Sequence, residues 1–599
     1  MSGRLFPSRR SGQCVYPGAE IRDLSGHGTR QAARVALDSQ VKVAIEVGRT
    51  RLAIAAGVFL IAFLVISARL VDLMALSNGR APETVAAIAP AVQPVVHRGD
   101  ILDRNGVVLA TNLPTVNLYA NARKVQDPDD TAARLVSVLP DLPFETARAR
   151  LASGRSFVYL RRNLTPREQD LVNRLGLPGL EFEAAERRVF PQGRLAAHVL
   201  GAANVDNRGI AGIERAFDDR LGTDNRPLRL SLDIRVQHAV RQVLAEAIDR
   251  FQALAGAALV MDARTGELLA LVSLPDYEPE HFGAAPPEAR FNRATLGVYE
   301  MGSTFKLINT ALGLEVGGYR LTDGFDATHP LRMAGFAIKD LHAQGRWLSI
   351  PEILVHSSNI GSGKMALAVG SEAQKAFLDR LGLLSPVSIE LPEAGVPLYP
   401  NTWRPINTVT ISYGHGIAVT PLHLVSATAA LVNGGELRPP TLLRRPPGTV
   451  PEGRRVLSAT TSDKMRQLMR LVVEEGTGGK ADVPGYRVGG KTGTAEKAAA
   501  GGYRQKALLP SFVAAFPMDD PRYVVLAMLD EPKGLPETHG FATAGWNAAP
   551  TVGAIIARVA PLLGVTPRPA TDGPAEGVRL AVADGDEGVG EGRIGGARR

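Results

Sequence analysis

The chain has 599 residues, 45% of them apolar and 21% charged. That length leaves room for about four domains at roughly 150 residues each and excludes a short disulfide-stapled module, and the ordinary composition excludes a chain that is disordered throughout or spans a membrane many times. The single cysteine, Cys14, excludes intramolecular disulfides and cysteine-cluster metal sites, and a net charge of +8 would point to nucleic acid only if it were spread over a folded face.

It is concentrated instead. Residues 1–51 carry nine Lys or Arg against four acids, and the uncharged run LAIAAGVFLIAFLVISA then fills the 17 positions from Leu52 to Ala68. As a helix that run is about 25 Å long, with Arg69 able to snorkel while Leu70 and Val71 extend the apolar face, so residues 52–72 are expected to span a membrane. Ala75 and Ser77 have the spacing of a cleavage site, but a 51-residue basic region ahead of the apolar run is too long for a signal peptide. The positive flank stays cytoplasmic. The rest of the chain is then expected outside the cytoplasm, beyond a single membrane pass, without ATP, nicotinamide or a nucleic-acid partner.

Residues 73–96 are rich in Ala and Pro and read as a linker. In RGDILDRNGVVLAT, from Arg98 to Thr111, Asn105-Gly106 between short apolar runs predicts a hairpin, and Arg98-Gly99-Asp100 is a coincidental tripeptide. Mixed short elements follow with no visible titratable cluster, so 97–229 is expected to be a non-catalytic pedestal. An amphipathic helix is predicted at Ile234–Arg250, then two strands, GAALVMDA and ELLALVS, joined at Arg264-Thr265-Gly266. Strands are also predicted at Ser511–Phe516, Tyr523–Leu529 and near Val488, and a helix at Ala548–Leu563. These elements predict an α+β domain over 230–565, with an antiparallel sheet of five strands flanked by helices. Residues 566–599 lack aromatics and are rich in Gly, the composition of a disordered tail.

Three short elements carry the chemistry: Ser303-Thr304-Phe305-Lys306, Ser357-Ser358-Asn359 and Lys491-Thr492-Gly493-Thr494. After Gly302 a helical pattern places Phe305, Ile308, Leu312 and Val316 on one buried face and ends at Gly317-Gly318, so Ser303 opens a helix with Lys306 one turn on. Serine is a poor nucleophile without an adjacent base, and lysine is a base at neutral pH only where burial or a neighbouring cation lowers its pKa. Lys491 would be such a cation. A second S-x-x-K, Ser39 to Lys42, lies in the basic N-terminal region and is assigned no chemistry. The order S-x-x-K, S-x-N, K-T-G, with gaps of 54 and 134 residues, is the arrangement of penicillin-binding proteins and β-lactamases.

The resemblance extends beyond these motifs. From the anchor to about residue 560 the chain resembles class B penicillin-binding proteins, most of all the cell-division-specific (septal) peptidoglycan D,D-transpeptidases of Gram-negative bacteria. It is carried by RGDILDRNGVVLA, SLPDYEP, FNRA, YEMGSTFK, SYGHGIAVTPLHL and KTGTAEK; Met301 stands where relatives often have proline. The resemblance implies that the pedestal is of the penicillin-binding protein dimerisation type. It implies that Ser303 attacks the penultimate D-alanine of a stem pentapeptide ending in D-Ala-D-Ala, and that an acceptor stem's amine resolves the acyl-enzyme. It further implies Lys306 as general base, Ser357 as proton relay, Asn359 as orienting residue, Lys491, Thr492, Gly493 and Thr494 as substrate-binding, and the backbone N–H groups of Ser303 and Thr494 as oxyanion hole. β-Lactams would acylate Ser303, and no metal or organic cofactor is called for. Residues 1–229 show no glycosyltransferase-like acidic signature, so a separate glycosyltransferase and other division-machinery membrane proteins are the expected partners.

Four alternatives remain in view: an elongation-specific class B transpeptidase, a β-lactamase or β-lactam sensor, an inactive division scaffold, and a P-loop ATPase. The last rests on Gly485-Tyr486-Arg487-Val488-Gly489-Gly490-Lys491-Thr492, which fits G-x-x-x-x-G-K-[ST] but lacks the strand before and the helix after that a phosphate loop requires.

Overall fold

The computed structural model describes residues 32–71, 97–499 and 502–568, which form two units, Met1–Val95 and Val96–Arg599. The expected linker at 73–96, most of the N-terminal region and the tail from 569 lie outside the described residues. Among the described residues of the first unit, helix α1 (Ala32–Val71) begins twenty residues ahead of the apolar run. Its stretch Glu46–Val71 is long and apolar enough to cross a membrane. Phe59 and Phe63 stand exposed along it, as side chains meant for lipid would.

The second unit opens with the hairpin that Asn105-Gly106 predicts. Strand β1 (Ile101–Leu102) pairs antiparallel with β2 (Val108–Ala120), and Gly106 takes the left-handed φ of +91° that the turn requires. β2 also pairs with β3 (Val158–Leu164) and β4 (Leu180–Val189), and β1 with β5 (Leu228–Arg229). The turn then docks the pedestal onto the next domain: buried Asp103 accepts from the N–H groups of Asn105 and Val107 with one carboxylate oxygen and from Ile234 N–H with the other.

The pedestal does contain a titratable cluster. Glu214 is fully buried and accepts from Arg98 Nε at 2.8 Å and Arg188 Nε at 2.7 Å, while Arg98 also reaches Asp218 at 2.6 Å. Its members lie up to 120 positions apart, so no local pattern announces it. Replacing one partner of a buried ion pair strands the others, so Glu214→Gln is expected to cost about 3–5 kcal/mol, read from the midpoint of denaturant unfolding.

Beyond α2 (Ile234–Phe251) come β6 (Ala255–Asp262) and β7 (Leu268–Leu274), then α3 (Phe305–Glu315), α4 (Ile350–Val355), α5 (Asn359–Val369), α6 (Pro421–Val432) and α7 (Ala459–Glu474). The domain closes with β8 (Gly489–Ala499), β9 (Gly502–Phe516), β10 (Tyr523–Asp530) and α8 (Ala548–Leu562). The five strands form one antiparallel sheet in the order β8-β9-β10-β6-β7.

Both faces of the sheet are covered, which is why its inner strands read as unbroken apolar runs. Val524, Leu526 and Met528 enter one core with α3, α6 and α7, whereas Val525, Ala527 and Leu529 enter the other with α2 and α8. α3 is buried on every side from Phe305 to Leu314, the position of a central helix. It ends one residue earlier than its apolar spacing suggests, leaving Val316 41% exposed rather than on the buried face. The first residues of the expected tail are held: Arg568 N–H donates to Gly485 O, and its guanidinium pairs with Asp519.

Candidate active site

Three elements of the catalytic domain converge on Ser303. It is the middle residue of a 3-10 turn, Gly302–Thr304, that leads directly into α3, and Lys306 lies in the first turn of that helix with only 1% of its surface exposed. Buried Met301 precedes the turn, whose Thr304 hydroxyl donates to Met301 O at 2.8 Å.

The second element is the junction between α4 and α5. A capping box, Ser349 with Glu352, starts α4, and Ser358 caps α5 by accepting from Gly361 N–H at 2.9 Å. The middle residue of S-x-N is therefore occupied with the backbone, while its two neighbours face Lys306. Ser357 is held in the left-handed region at φ +57°, a conformation that a non-glycine residue keeps only where its surroundings enforce it.

The third element is β8, the outer strand of the sheet, which brings in Lys491. The strand runs against the nucleophile turn so closely that a Cβ on Gly493 would lie 2.4 Å from Met301 O, and a Cβ on Gly302 would lie 3.0 Å from Thr494 O. Glycine at both positions permits that approach. Thr494 sits opposite Pro510, which has no N–H to offer it, and its hydroxyl accepts from Ala544 N–H at 3.1 Å. The Thr492 hydroxyl pairs with that of Thr477 at 2.6 Å.

All eight residues expected at the site thus meet in one region, and six form a continuous hydrogen-bonded network. Lys306 Nζ lies 3.0 Å from Ser303 Oγ, 3.0 Å from Ser357 Oγ, 2.6 Å from Ser357 O and 2.7 Å from Asn359 Oδ1. Lys491 Nζ, fully buried, lies 3.1 Å from Ser357 Oγ and 3.3 Å from Thr492 Oγ1. Two of the four groups around Lys306 Nζ are carbonyl oxygens, which only accept. A neutral amine has two N–H bonds for them and a lone pair left for the Ser303 hydroxyl.

The electrostatics favour that neutral form. Burial, and then the like charge of Lys491, hold the Lys306 amine well below the usual lysine range, against an opposing pull from Asp340. Burial alone brings Lys491 down to about 7.

Asp340 is the participant the motifs do not reveal. Its carboxylate accepts from Ser358 Oγ at 2.7 Å, Asn359 N–H at 2.6 Å and Ile360 N–H at 2.9 Å, which fastens the start of α5. It stands 17 positions before Ser357 in an irregular stretch, at no motif offset. Asp340→Ala is expected to slow acylation of Ser303 by about 10–100-fold through loss of the positions of Ser357 and Asn359, whereas stability falls by about 1–2 kcal/mol, the worth of a lost cap. Stopped-flow acylation beside thermal unfolding measures both.

The phosphate-loop alternative fails on geometry. Thr492 lies inside β8, which continues as strand to Ala499, so no helix N-terminus follows the motif. Among the described residues no group of three or more metal-ligating side chains occurs.

The chain is similar to known proteins over most of its length. Residues 256–556 match the family described as the penicillin binding protein transpeptidase domain, and residues 94–226 match the penicillin-binding protein dimerisation domain. The chain is 44% identical over 482 residues to the probable peptidoglycan D,D-transpeptidase FtsI of Caulobacter vibrioides, covering 78% of this chain and 82% of that one. It is 32% identical over 512 residues to the peptidoglycan D,D-transpeptidase FtsI of Escherichia coli K12, covering 80% and 85%. Among solved structures, a peptidoglycan synthetase from Bifidobacterium adolescentis shares the fold at a TM-score of 0.63 and 23% identity, covering 80% of this chain and 97% of that one. The TP domain of Burkholderia pseudomallei penicillin-binding protein 3 aligns at 0.51 and 34% identity, covering 57% and 97%. With a dimerisation domain ahead of a transpeptidase domain, and a buried lysine set against the serine at the head of its central helix, the chain belongs to the class B penicillin-binding proteins.

Proposed function

We propose that this chain is a membrane-anchored peptidoglycan D,D-transpeptidase that cross-links stem peptides through an acyl-enzyme on Ser303, and that it takes β-lactams as mimics of D-Ala-D-Ala. The observation that carries the reading is the 3.0 Å contact between Ser303 Oγ and a lysine amine whose burial favours its neutral form. Lys306 takes the hydroxyl proton as Oγ attacks the carbonyl of the penultimate D-alanine. Ser357, between the two amines at 3.0 and 3.1 Å, passes a proton to the departing D-alanine. Asn359 keeps Lys306 aimed and orients the donor's amide, and Lys491 with Thr492, Gly493 and Thr494 receives the terminal carboxylate. Ser303 N–H and Thr494 N–H, on backbones that nearly touch through Gly302, hold the developing oxyanion.

The test uses the full-length protein with labelled penicillin and with pentapeptide-bearing glycan. A stable adduct on the peptide containing Ser303, together with cross-links and released D-alanine, is the expected result. A folded sample without an adduct would reduce the chain to a scaffold, and rapid turnover of penicillin would make it a β-lactamase.

The septal role rests on the extended motif matches and on relatives named FtsI. It carries with it an orientation with the basic N-terminus in the cytoplasm and the catalytic domain in the periplasm, and partners among division-machinery membrane proteins, including a separate glycosyltransferase, that dock on the anchor and pedestal. Depletion is expected to give filamentous cells; rounded cells would assign the chain to elongation instead.

A further inference from the structure

Between α3 and α4 the catalytic domain carries a small excursion that the chemistry above does not use. Gly324–Asp326 pairs with Trp347–Ser349, and inside that ribbon Leu331–Met333 pairs with Phe336–Ile338 across the turn Ala334-Gly335. Leu341, just beyond the inner hairpin, is 81% exposed. That is the most of any large apolar side chain among the described residues, more even than Phe59 at 77% on the stretch able to cross a membrane. Phe336 and Trp347 also stand exposed on the excursion, and the Trp347 ring lies against the backbone of Gly324, where a Cβ would come within 2.4 Å of its Cζ2. A single exposed leucine needs no explanation, but three large exposed apolar side chains within twelve positions mark a surface that something covers.

The same excursion has positive charge to spare. Its only acids are Asp326 and Asp340, and both are committed: Asp326 lies 3.6 Å from Lys364, and Asp340 accepts from the three donors at the start of α5. Arg346 is paired with Glu352 at 2.7 Å. Arg332 and Lys339, both exposed, have no acid partner among the described residues. Arg332 faces Ala337 across the inner hairpin, and Lys339 follows two positions after Ala337, so the two cations share its outer side. Apolar side chains beside unpaired cations match a covering segment that carries apolar side chains and carboxylates. Anionic lipid is held by clusters of about four to eight Lys or Arg, and two fall short of that.

Leu341 follows directly on the two residues that hold Asn359. Lys339 O accepts from Asn359 Nδ2 at 3.0 Å, Asp340 accepts from Asn359 N–H at 2.6 Å, and Asn359 Oδ1 lies 2.7 Å from Lys306 Nζ. A group that covers Leu341 therefore orders the backbone on which Asn359, and through it Lys306, is aimed. We propose that this excursion is the docking surface for an acidic segment of a partner protein, and that docking speeds acylation of Ser303. The segment's apolar side chains cover Leu341 and Phe336, and its carboxylates meet Arg332 and Lys339. The docking surface goes beyond the transpeptidase reading and stands apart from it; the effect on rate rests on that reading.

The experiment puts the photoreactive p-benzoyl-L-phenylalanine in place of Leu341 in the full chain, in the bacterium that encodes it. Irradiated membranes are treated with fluorescent penicillin for increasing times, and cross-linked and free chains are separated by size in one gel and detected by antibody. The expected result is a heavier band whose captured segment, identified by mass spectrometry, holds more acidic than basic residues. Arg332→Glu with Lys339→Glu is expected to lower the yield of that band about tenfold, because like charges then face each other. The heavier band is expected to take up penicillin about fivefold faster than the free chain beside it, the low end of coupling between two sites. A lipid adduct, no adduct, a captured segment without an acidic surplus, or a yield within about twofold after the charge reversal overturns the docking surface. Equal uptake of penicillin by the two bands overturns the coupling to Ser303. If the substitution at Leu341 prevents folding, the same photoreactive residue in place of Phe336 decides on the same criteria. A cross-link that forms on a chain taking no penicillin removes the transpeptidase reading and leaves the docking surface standing.

Discussion

Ser303→Ala is expected to abolish covalent labelling by penicillin and to reduce cross-linking by roughly 10⁴-fold or more, the scale on which a catalytic serine is missed. The change removes one oxygen from a half-buried position and leaves the remaining acceptors of Lys306 in place, so the fold should persist with stability altered by about 1 kcal/mol or less. Intact-protein mass spectrometry after penicillin treatment, beside a thermal melt, separates loss of chemistry from loss of fold. A penicillin adduct on the alanine variant would move the nucleophile elsewhere.

Lys306→Met should keep the packing of the aliphatic stem and remove only the amine, with acylation slowed by about 10²–10⁴-fold, the range of a positioned general base. The pH profile gives the sharper signature. The neutral amine is the active form, so acylation rises as pH climbs through the lowered pKa of Lys306. The cation of Lys491 is the form that holds a carboxylate, so binding of an anionic donor declines as pH rises through about 7 in the free enzyme. The unaltered protein should give a bell-shaped kcat/KM profile, and Lys306→Met should lose its acid limb and keep the decline. A variant that retains the acid limb would assign the base to another group.

Much of this was legible in the residues. Alternating cores on both faces of the sheet made the strand runs around Val260 and Val525 unmistakable, and Asn105-Gly106 announced its hairpin because glycine supplies the left-handed residue of a turn that closes with Gly106 N–H on Asp103 O. The three motifs were readable because each is a local device: a turn into a helix, a capped helix junction, an edge strand. Asp340 was not, since its contribution is to accept hydrogen bonds from Ser358, Asn359 and Ile360 across an irregular loop. Nor was the Arg98–Glu214–Arg188 cluster, whose pairing depends on the course of β4 and the helices after it.

The amino-acid sequence by itself determined the anchor, the α+β class, the family and the identities of serine, lysines and asparagine, because those follow from local periodicity and from short patterns of residue type. Only the tertiary structure decided that two lysines 185 positions apart in the chain would share one hydroxyl, and hence that one of them would be driven toward neutrality. The pKa of an amine is set by the solvent it loses and the charges it meets, and both are properties of the packed molecule, invisible along the strand of letters.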